Sequence, residues 1–253
     1  MMFINDTDIG TVTRVVGLEP GVEMLDLENG VGDIKIEPGR PGMIEVIAKF
    51  KANREHGPAT DRDIEITQGD GRIKVRVADS PFASRRVSFE IRVPMTLNVR
   101  VRLGVGSIDA SGLNARHDLR TGVGSVNVQA ERISGDSRFA TGTGKVSVSA
   151  HRAEGSIEGK VGAGNFSFTA GSAMLDRCSF KVATGNIYLH LPATYIGAID
   201  LKTALGAIKL GPDAQFVPLQ SMLVGSRAKG SLGQGQGEVV AHVAVGNISL
   251  ERK

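Results

Sequence analysis

A glycine corner that recurs about every twenty residues constrains this 253-residue chain more than any other feature. The first four copies read Gly-x-Gly followed by a polar and then an apolar residue, and later copies keep the second glycine. These second glycines are separated by steps of 18, 20, 20, 21 and 21 residues, and the last follows after 40. They are Gly106, Gly124, Gly144, Gly164, Gly185, Gly206 and Gly246. A glycine that recurs at a corner indicates a positive φ or a close backbone approach, so we predict that all seven are structural turn glycines.

Apolar and polar residues alternate on both sides of each corner, as they do in strands. The positions two and four after the second glycine hold Ile, Val, Phe, Leu or Ala in every copy. A repeat of this length cannot bury its apolar face alone, so neighbouring copies must stack. A meander of antiparallel hairpins would also give strand, turn and strand, but the register kept over seven copies favours parallel pairing. The sequence therefore predicts an all-β protein with a parallel, β-helix-like β-solenoid of ~20-residue coils over residues 96–253.

Residues 1–95 alternate as strands too, but with polar loops and a less regular spacing. Two segments, 29–34 and 69–73, look like diverged copies of the same corner. We interpret this part as an irregular β region that caps one end of the stack and is continuous with it, because terminal repeats must hide their edge. The last coil, which ends at 250–253, has almost no cap, so self-association through that solenoid edge is a hypothesis.

Three short motifs give the chain a likeness to a known family. They are an Ile-x-Val-Pro strand at 91–94, the Gly-x-Gly-Ser-Ile corner at 104–108 with which the repeats begin, and an early Asn-Gly-x-Gly-Asp-Ile element at 29–34. With them, residues 15–250 resemble the bacterial putative-adhesin family of β-strand-repeat domains. The resemblance implies a β-strand-repeat fold and an adhesin-like role. The family is a domain of unknown function, so the resemblance implies no catalytic residue. Many relatives look exported or anchored, whereas no signal or anchor is visible in this sequence.

Composition sets limits on partners and compartment. The formal charge is only +3, the single cysteine excludes an internal disulfide, and no stretch approaches ~18 consecutive apolar residues. The first eleven residues lack the basic and apolar run of a signal peptide. The sequence as written therefore predicts a protein without a transmembrane segment that stays in the cytoplasm. A cell-surface location is the alternative if a leader is missing.

Catalytic chemistry finds little support in the sequence. The Gly-x-Gly corners lack the Gly-Lys-Ser/Thr ending of a phosphate loop and no helix follows them. His117 and Cys178 share one apolar column. We therefore expect His117 to be a buried core histidine and Cys178 to be a small buried hydrophobic residue. Asp118 and Glu158 lie two coils apart, near 10 Å, with an arginine between them, which favours a charge ladder over a glycosidase pair. We predict no catalytic residue, cofactor or metal site, and no enzymatic activity.

A column of cations is the feature with the most functional promise. It lies four positions before the second glycine and reads Arg102, Arg120, Ala140, Lys160, Lys181, Lys202 and His242. Stacked like charges are unfavourable unless anions or partners relieve them. One interpretation is a solvated face that Asp118, Glu158 and Asp200 neutralise. The other is an anion-binding stripe of Arg102, Arg120, Lys160, Lys181 and Lys202 for acidic polysaccharide, lipid headgroups or nucleic acid.

Nucleic acid is the least favoured of these ligands, because no aromatic residues interleave with the stripe to stack on bases. The sequence thus predicts a non-catalytic structural or interaction β-solenoid, adhesin-like, that presents a repetitive face to a protein, to an anionic polymer or to itself. The alternative is a carbohydrate-active or anionic-polymer-binding β-helix protein.

Overall fold

The structure, a computed structural model, describes residues 7–52, 58–78, 86–214, 218–221 and 225–252. Over these ranges the chain is all-β, which confirms the predicted class. The helical segments there are two three-residue 3-10 turns, Asp61–Asp63 and Pro212–Ala214. No helix in the described ranges is therefore long enough to cross a membrane.

Twenty strands, numbered in chain order, form one sheet in the described part of the chain. The first seven are β1 Thr7–Gly17, β2 Met24–Val31, β3 Ile34–Pro38, β4 Met43–Ala52, β5 Ile64–Gly69, β6 Arg72–Val77 and β7 Arg86–Val93. The next seven are β8 Asn98–Val105, β9 Ile108–Ser111, β10 Asn114–Ala115, β11 His117–Val123, β12 Val126–Ile133, β13 Ser137–Thr184 and β14 Ile187–Leu191. The last six are β15 Gly197–Leu205, β16 Ile208–Leu210, β17 Leu219–Ser221, β18 Ser226–Leu232, β19 Gly237–Val245 and β20 Ile248–Arg252.

The core forms because apolar positions alternate along each strand and pair in register with the same positions of the next. In β8 the side chains of Val99 and Val101 are buried and that of Arg102 is exposed. Val101 pairs with Leu119, and Leu119 pairs with Phe139. Burying each such side chain contributes about 1.5–3 kcal/mol relative to leaving it in water. The resulting column of aliphatic and aromatic side chains continues from strand to strand.

The corners bring the backbones of neighbouring turns into direct contact. Gly144 has a φ of 142°, and a Cβ built on it would lie 1.9 Å from the carbonyl oxygen of Gly124. Both the conformation and the approach exclude any other residue there. The seven turn glycines all have φ between 132° and 142°. We call the two strands that flank one such glycine a corner pair.

Most corner pairs join in parallel, but the sheet is mixed. Parallel ladders link β8, β11 and β13 before the corners, and β9, β12 and β13 after them. Antiparallel ladders occur near both ends, in β1–β4–β7 and β5–β6 and in β15–β18–β17. The parallel solenoid predicted over residues 96–253 is therefore not shown, since β15, β18 and β17 pair antiparallel within that range. A hairpin needs only a short turn, so it can cover the end of a stack where a further parallel coil would leave another open edge.

The first and second parts of the chain share this sheet. β2 pairs in parallel with β8, and β3 pairs in parallel with β9. The diverged corner at Gly32 is thus a neighbour of the first regular one, and a Cβ at Gly106 would lie 1.8 Å from the Gly32 carbonyl oxygen. β6 and β7 then continue the two ladders on the far side.

The last corner pair, β19–β20, lies inside the stack rather than at its end. β19 pairs in parallel with the end of β13 on one side and with β15 on the other. β20 pairs in the same way with β14 and β16. A Cβ at Gly246 would meet the Gly185 carbonyl oxygen at 1.8 Å, and one at Gly206 would meet that of Gly246 at 2.0 Å. The order of the corners in space therefore differs from their order in the sequence.

Asparagine side chains just after the glycines connect this order. The backbone N–H of Asn186 donates to Oδ1 of Asn165 at 3.0 Å. In turn the N–H of Asn247 donates to Oδ1 of Asn186 at 3.0 Å, and that of Ala207 donates to Oδ1 of Asn247 at 2.9 Å. Ala207 has no side-chain acceptor, so β15–β16 can end this ladder but cannot extend it.

The insertion overturns the hypothesis of an open C-terminal edge. Among the described residues, Ile248–Leu250 of β20 pair with a strand on both sides, whereas Glu251 and Arg252 pair with β14 only, and Lys253 lies outside the described residues. On the far side of β15 the next strand is β18, which runs antiparallel. Self-association through Ile248–Leu250 of β20 would require one of the two neighbouring strands to be displaced.

The corner contacts predict a large difference between two glycine substitutions. Gly144→Ala should lower the free energy of unfolding by about 3 kcal/mol or more, because its Cβ would collide with a backbone carbonyl that cannot move independently. Gly30→Ala is the matched control, since its φ is not positive and a Cβ there meets nothing within 4 Å. Urea unfolding of both variants checks this. Equal destabilisation by the two substitutions would contradict the stacking contact.

A buried histidine predicts acid sensitivity. His117 is completely buried beside Phe139, with ring centroids 6.2 Å apart. Burial lowers the pKa of His117 from 6.5 to about 4, against a smaller opposing effect of the Ala115 backbone. The unfolded chain therefore takes up a proton below pH 6.5 that the folded chain excludes, and stability falls as the pH drops toward 4. The shift corresponds to about 3 kcal/mol.

His117→Leu should remove this part of the acid sensitivity, because the unfolded state then has no imidazole to protonate at that position. Unfolding free energies measured between pH 7 and 4 should show a flatter profile than in the wild type. The exposed His151 gives the control His151→Gln, which should leave the profile unchanged. A profile equally steep in His117→Leu would show that other groups cause the acid sensitivity.

Candidate anion-binding face

Two columns of side chains run next to each other across the outside of the sheet. Residues two apart on a strand share a face, so the positions four and six before each glycine form adjacent columns. In spatial order the first, which we call the cation column, is Arg102, Arg120, Ala140, Lys160, Lys181, His242 and Lys202. The second, which we call the charge ladder, is Asp26, Arg100, Asp118, Arg138, Glu158, Ser179, Val240 and Asp200.

The charge ladder alternates in sign over its first five positions. Nη1 of Arg100 is 3.7 Å from Asp26, and its Nε is 3.5 Å from Asp118. Nε of Arg138 is 3.2 Å from Glu158. Asp118 and Glu158 are thus each held by an arginine of the same ladder. This is the neutralised arrangement expected from the sequence, rather than a pair of carboxylates facing a shared ligand.

The same acids also neutralise the first part of the cation column. Nε of Arg120 donates to Asp118 at 2.7 Å, and Nζ of Lys160 lies 2.5 Å from Glu158. The hydrogen bond from Lys160 lowers the pKa of the Glu158 carboxyl, which marks a close pair. Arg102 has its own partner, Glu28 of β2, at 2.6 Å, and this hydrogen bond raises the pKa of the Arg102 guanidinium. Three of the five predicted stripe residues therefore already have a carboxylate.

The ladder loses its charge at Ser179 and Val240. These are the positions next to Lys181 and His242 on their own strands. In the ranges that the structure describes, no carboxylate lies within ion-pair distance of Lys181 or Lys202. The cation column continues here without the acids that balance it elsewhere.

Asp200 is the next acid of the ladder, and its carboxylate already pairs with an arginine. Arg227 of β18 donates to it twice, from Nε at 3.1 Å and from Nη2 at 2.8 Å. This bidentate contact lowers the pKa of Asp200. Lys202, two residues further along the same strand, therefore remains without a carboxylate of its own. We call Lys181, His242 and Lys202 the cation triad.

The insertion of the last corner pair creates the triad. His242 pairs in register with Lys181 on one side and with Lys202 on the other. All three side chains are exposed. Loss of hydration lowers the pKa of His242, and the charges of Lys181, Lys202 and Arg227 lower it further, although Asp200 opposes them. Sequence order had placed His242 at the end of the column, so the sequence did not predict this neighbourhood.

A shallow groove follows the triad. Its volume is about 550 Å³, and Lys160 of the cation column extends its charged side. The rest of the lining is aliphatic or glycine and includes Ala183, Ala204 and Ala244. Val245 and Leu205, one position further on, are 46% and 53% exposed. The groove thus joins a charged edge to a flat apolar floor.

Two other candidates from the sequence do not contribute to this face. Cys178 is fully buried, and burial raises the pKa of its thiol to about 12, so it is not a reactive nucleophile. His117 belongs to the core. Among the described residues, no group of three or more His, Cys, Asp and Glu side chains is arranged to hold a metal ion.

Comparisons with known proteins give structural likenesses only. No family model matches the chain, and no curated protein matches it. A putative cell adhesion protein from Clostridium sporogenes is 15% identical, with 96% of this chain and 100% of that chain covered and a TM-score of 0.36. A putative adhesin from Bacteroides fragilis is 10% identical, with 96% and 97% covered and a TM-score of 0.39.

A putative lipid binding protein from Parabacteroides distasonis is also similar, at 11% identity, with 95% and 96% covered and a TM-score of 0.25. These solved structures span nearly the whole chain at low identity. The assignment of a function therefore depends on the side chains of this chain itself.

The burial of Cys178 predicts that its thiol is protected in the native state. A disulfide reagent such as dithionitrobenzoate should modify the native protein at least about a thousand times more slowly than the unfolded protein, because it needs an accessible thiolate. Absorbance of the released thionitrobenzoate measures both rates. Rapid modification under native conditions would contradict the burial of this strand.

Proposed function

We propose that this chain is a non-catalytic, adhesin-like binding protein, wound as a β-solenoid over its regular corner pairs, whose cation column holds an anionic polymer. The parallel ladders that join successive corner pairs support the winding. The antiparallel strands at both ends support a stack that is capped rather than continued. Membership in the putative-adhesin family is part of the same proposal.

The cation triad is the observation that carries this function. Adjacent strands lie about 4.8 Å apart, and two like charges at that distance repel by about 1 kcal/mol even in water. Everywhere else in the column a carboxylate relieves the repulsion, at Glu28, Asp118 and Glu158. A ligand that brings its own anions would relieve it at the triad. Ser179 and Val240 leave room for those anions where acids stand elsewhere.

A carbohydrate-active enzyme is the competing function, and the charge ladder argues against it. Hydrolysis of a glycosidic bond needs two carboxylates free to act on one substrate. Asp118 is nearly buried between Arg100 and Arg120, and Glu158 contacts Arg138 and Lys160. These contacts favour a structural role for the acids and a binding role for the face.

Retention on immobilised heparin tests the proposal. Lys181→Gln combined with Lys202→Gln should weaken binding about tenfold, since each exposed charge pair contributes up to about 1 kcal/mol. The matched control combines Arg102→Gln with Arg120→Gln, which removes the same net charge from the same column. It should weaken binding less, because those two cations are already paired with Glu28 and Asp118.

A gain-of-binding variant complements the loss. Glu158→Gln removes the carboxylate that pairs with Lys160 and Arg138, so the protein should elute at a higher salt concentration than the wild type. Equal losses in the two double variants would mean that net charge alone determines retention. Unchanged elution of the Lys181 and Lys202 double variant would reject the proposed function.

A further inference from the structure

The cation triad has a regular spacing across the strands. Lys181, His242 and Lys202 occupy the same position on three neighbouring strands that pair in register. A ligand that runs perpendicular to the strands meets one cation per strand, every ~4.8 Å. A polymer with closely spaced negative charges that lies along this line would bring its anions within reach of all three cations.

We propose that the triad binds carboxylates of an acidic polysaccharide, a 1,4-linked chain of hexuronic acids, and that His242 makes this binding stronger as the pH falls. Each sugar of such a chain carries one carboxylate, and neighbouring sugars are turned about the chain axis. Carboxylates on the protein side can therefore meet Lys181 and Lys202, which lie about two strand spacings apart, with His242 between them. The inference rests on the proposed function, because it names the polymer that the same face would hold.

The floor of the groove favours a sugar chain over a nucleic acid. Ala183, Ala244 and Ala204 form a low surface on which the C–H face of a sugar ring can lie, and the exposed Val245 and Leu205 border it. The groove has no aromatic residue among its lining residues. Proteins that bind single-stranded nucleic acid use aromatic side chains to stack on bases, and phosphates along a single strand are spaced more widely than these strands.

His242 is the one member of the triad whose charge changes near neutral pH. Its charged neighbours are Lys181 from β13, Lys202 and Asp200 from β15, and Arg227 from β18. Without ligand, partial burial disfavours the imidazolium form most and the three cations disfavour it further, whereas Asp200, although paired with Arg227, favours it. A ligand carboxylate would stabilise that form. Binding therefore takes up a proton, and the affinity rises as the pH falls below the ordinary imidazole pKa of 6.5.

Binding of the full chain to polygalacturonate tests the inference at about pH 5.5 and about pH 7.5, where the polymer stays charged and imidazole titrates. The wild type should bind roughly threefold more tightly at the lower pH, the effect of one added exposed charge pair. His242→Lys should bind tightly at both pH values, and His242→Gln weakly at both. Lys145→Gln, which removes an exposed lysine beside the Gly144 corner and outside the groove, should match the wild type.

A further variant keeps the test decisive if the substitutions at His242 impair folding. Lys181→Gln should weaken binding at both pH values and keep the pH dependence, because His242 remains. Unfolding midpoints measured alongside show whether each variant is folded. A pH dependence that persists in folded His242→Gln would overturn the role of His242.

The choice of polymer distinguishes this inference from the proposed function. Methyl-esterified polygalacturonate should not bind, and binding equal to that of the acid form would overturn the inference. Oligo-dT that competes as well as polygalacturonate at the same salt concentration would overturn the preference for carboxylate spacing. If polygalacturonate fails to bind while heparin retention still depends on Lys181 and Lys202, this inference fails and the proposed function stands. If heparin retention is independent of both lysines, the proposed function fails as well.

Discussion

Direct contact between the backbones of neighbouring corners is the constraint on which the rest of the structure depends. The carbonyl oxygen of one corner glycine occupies the space where a Cβ of the next would be, as at Gly124 and Gly144. This contact holds adjacent corner pairs at one strand spacing and in one register. Side chains at equal distances from the glycines then form columns, whether they are apolar residues inside the stack or charged residues outside it. Both the core and the charged face follow from the same register.

Much of this could be predicted from the sequence, because a strand has a period of two and a corner glycine marks its phase. Val101, Leu119 and Phe139 could be assigned to one buried column without a structure, and Arg100, Asp118 and Arg138 to one charge ladder. The order of the corners could not be predicted, since backbone pairing is chemically the same at each of them. The residues after the glycines gave a weak signal of this order. Asn247 has a side-chain acceptor that can continue the asparagine ladder, whereas Ala207 has none and can only end it. The antiparallel strands at the ends depend on loop lengths and on edge protection. The alignment of side-chain columns carries no information about either, so these strands could not be predicted from it.

The function proposed for the face depends on that unpredicted order. By sequence, His242 is the last cation of the column and Val240 the last position of the ladder. In the structure, both lie between strands of earlier corner pairs. The uncharged ladder positions Ser179 and Val240 are therefore adjacent to each other and beside the three cations of the triad. A charge of +3 spread over the whole chain says little about ligands. Within the cation column, the cations without a carboxylate partner lie in one groove, and there they have a regular spacing and a titratable centre.

The position of the last corner pair also has a consequence for how the chain is made. Residues 237–252 leave the ribosome after residues 177–191 and 197–210, yet they fill the gap between those two segments. A nascent chain can stack its earlier corners as they emerge, but those two segments have no partner between them until residues 237–252 have emerged. Pairing across so long a stretch of chain is slow to form. The exposed strand edges on either side of that gap are therefore the part of the nascent protein most in need of a chaperone.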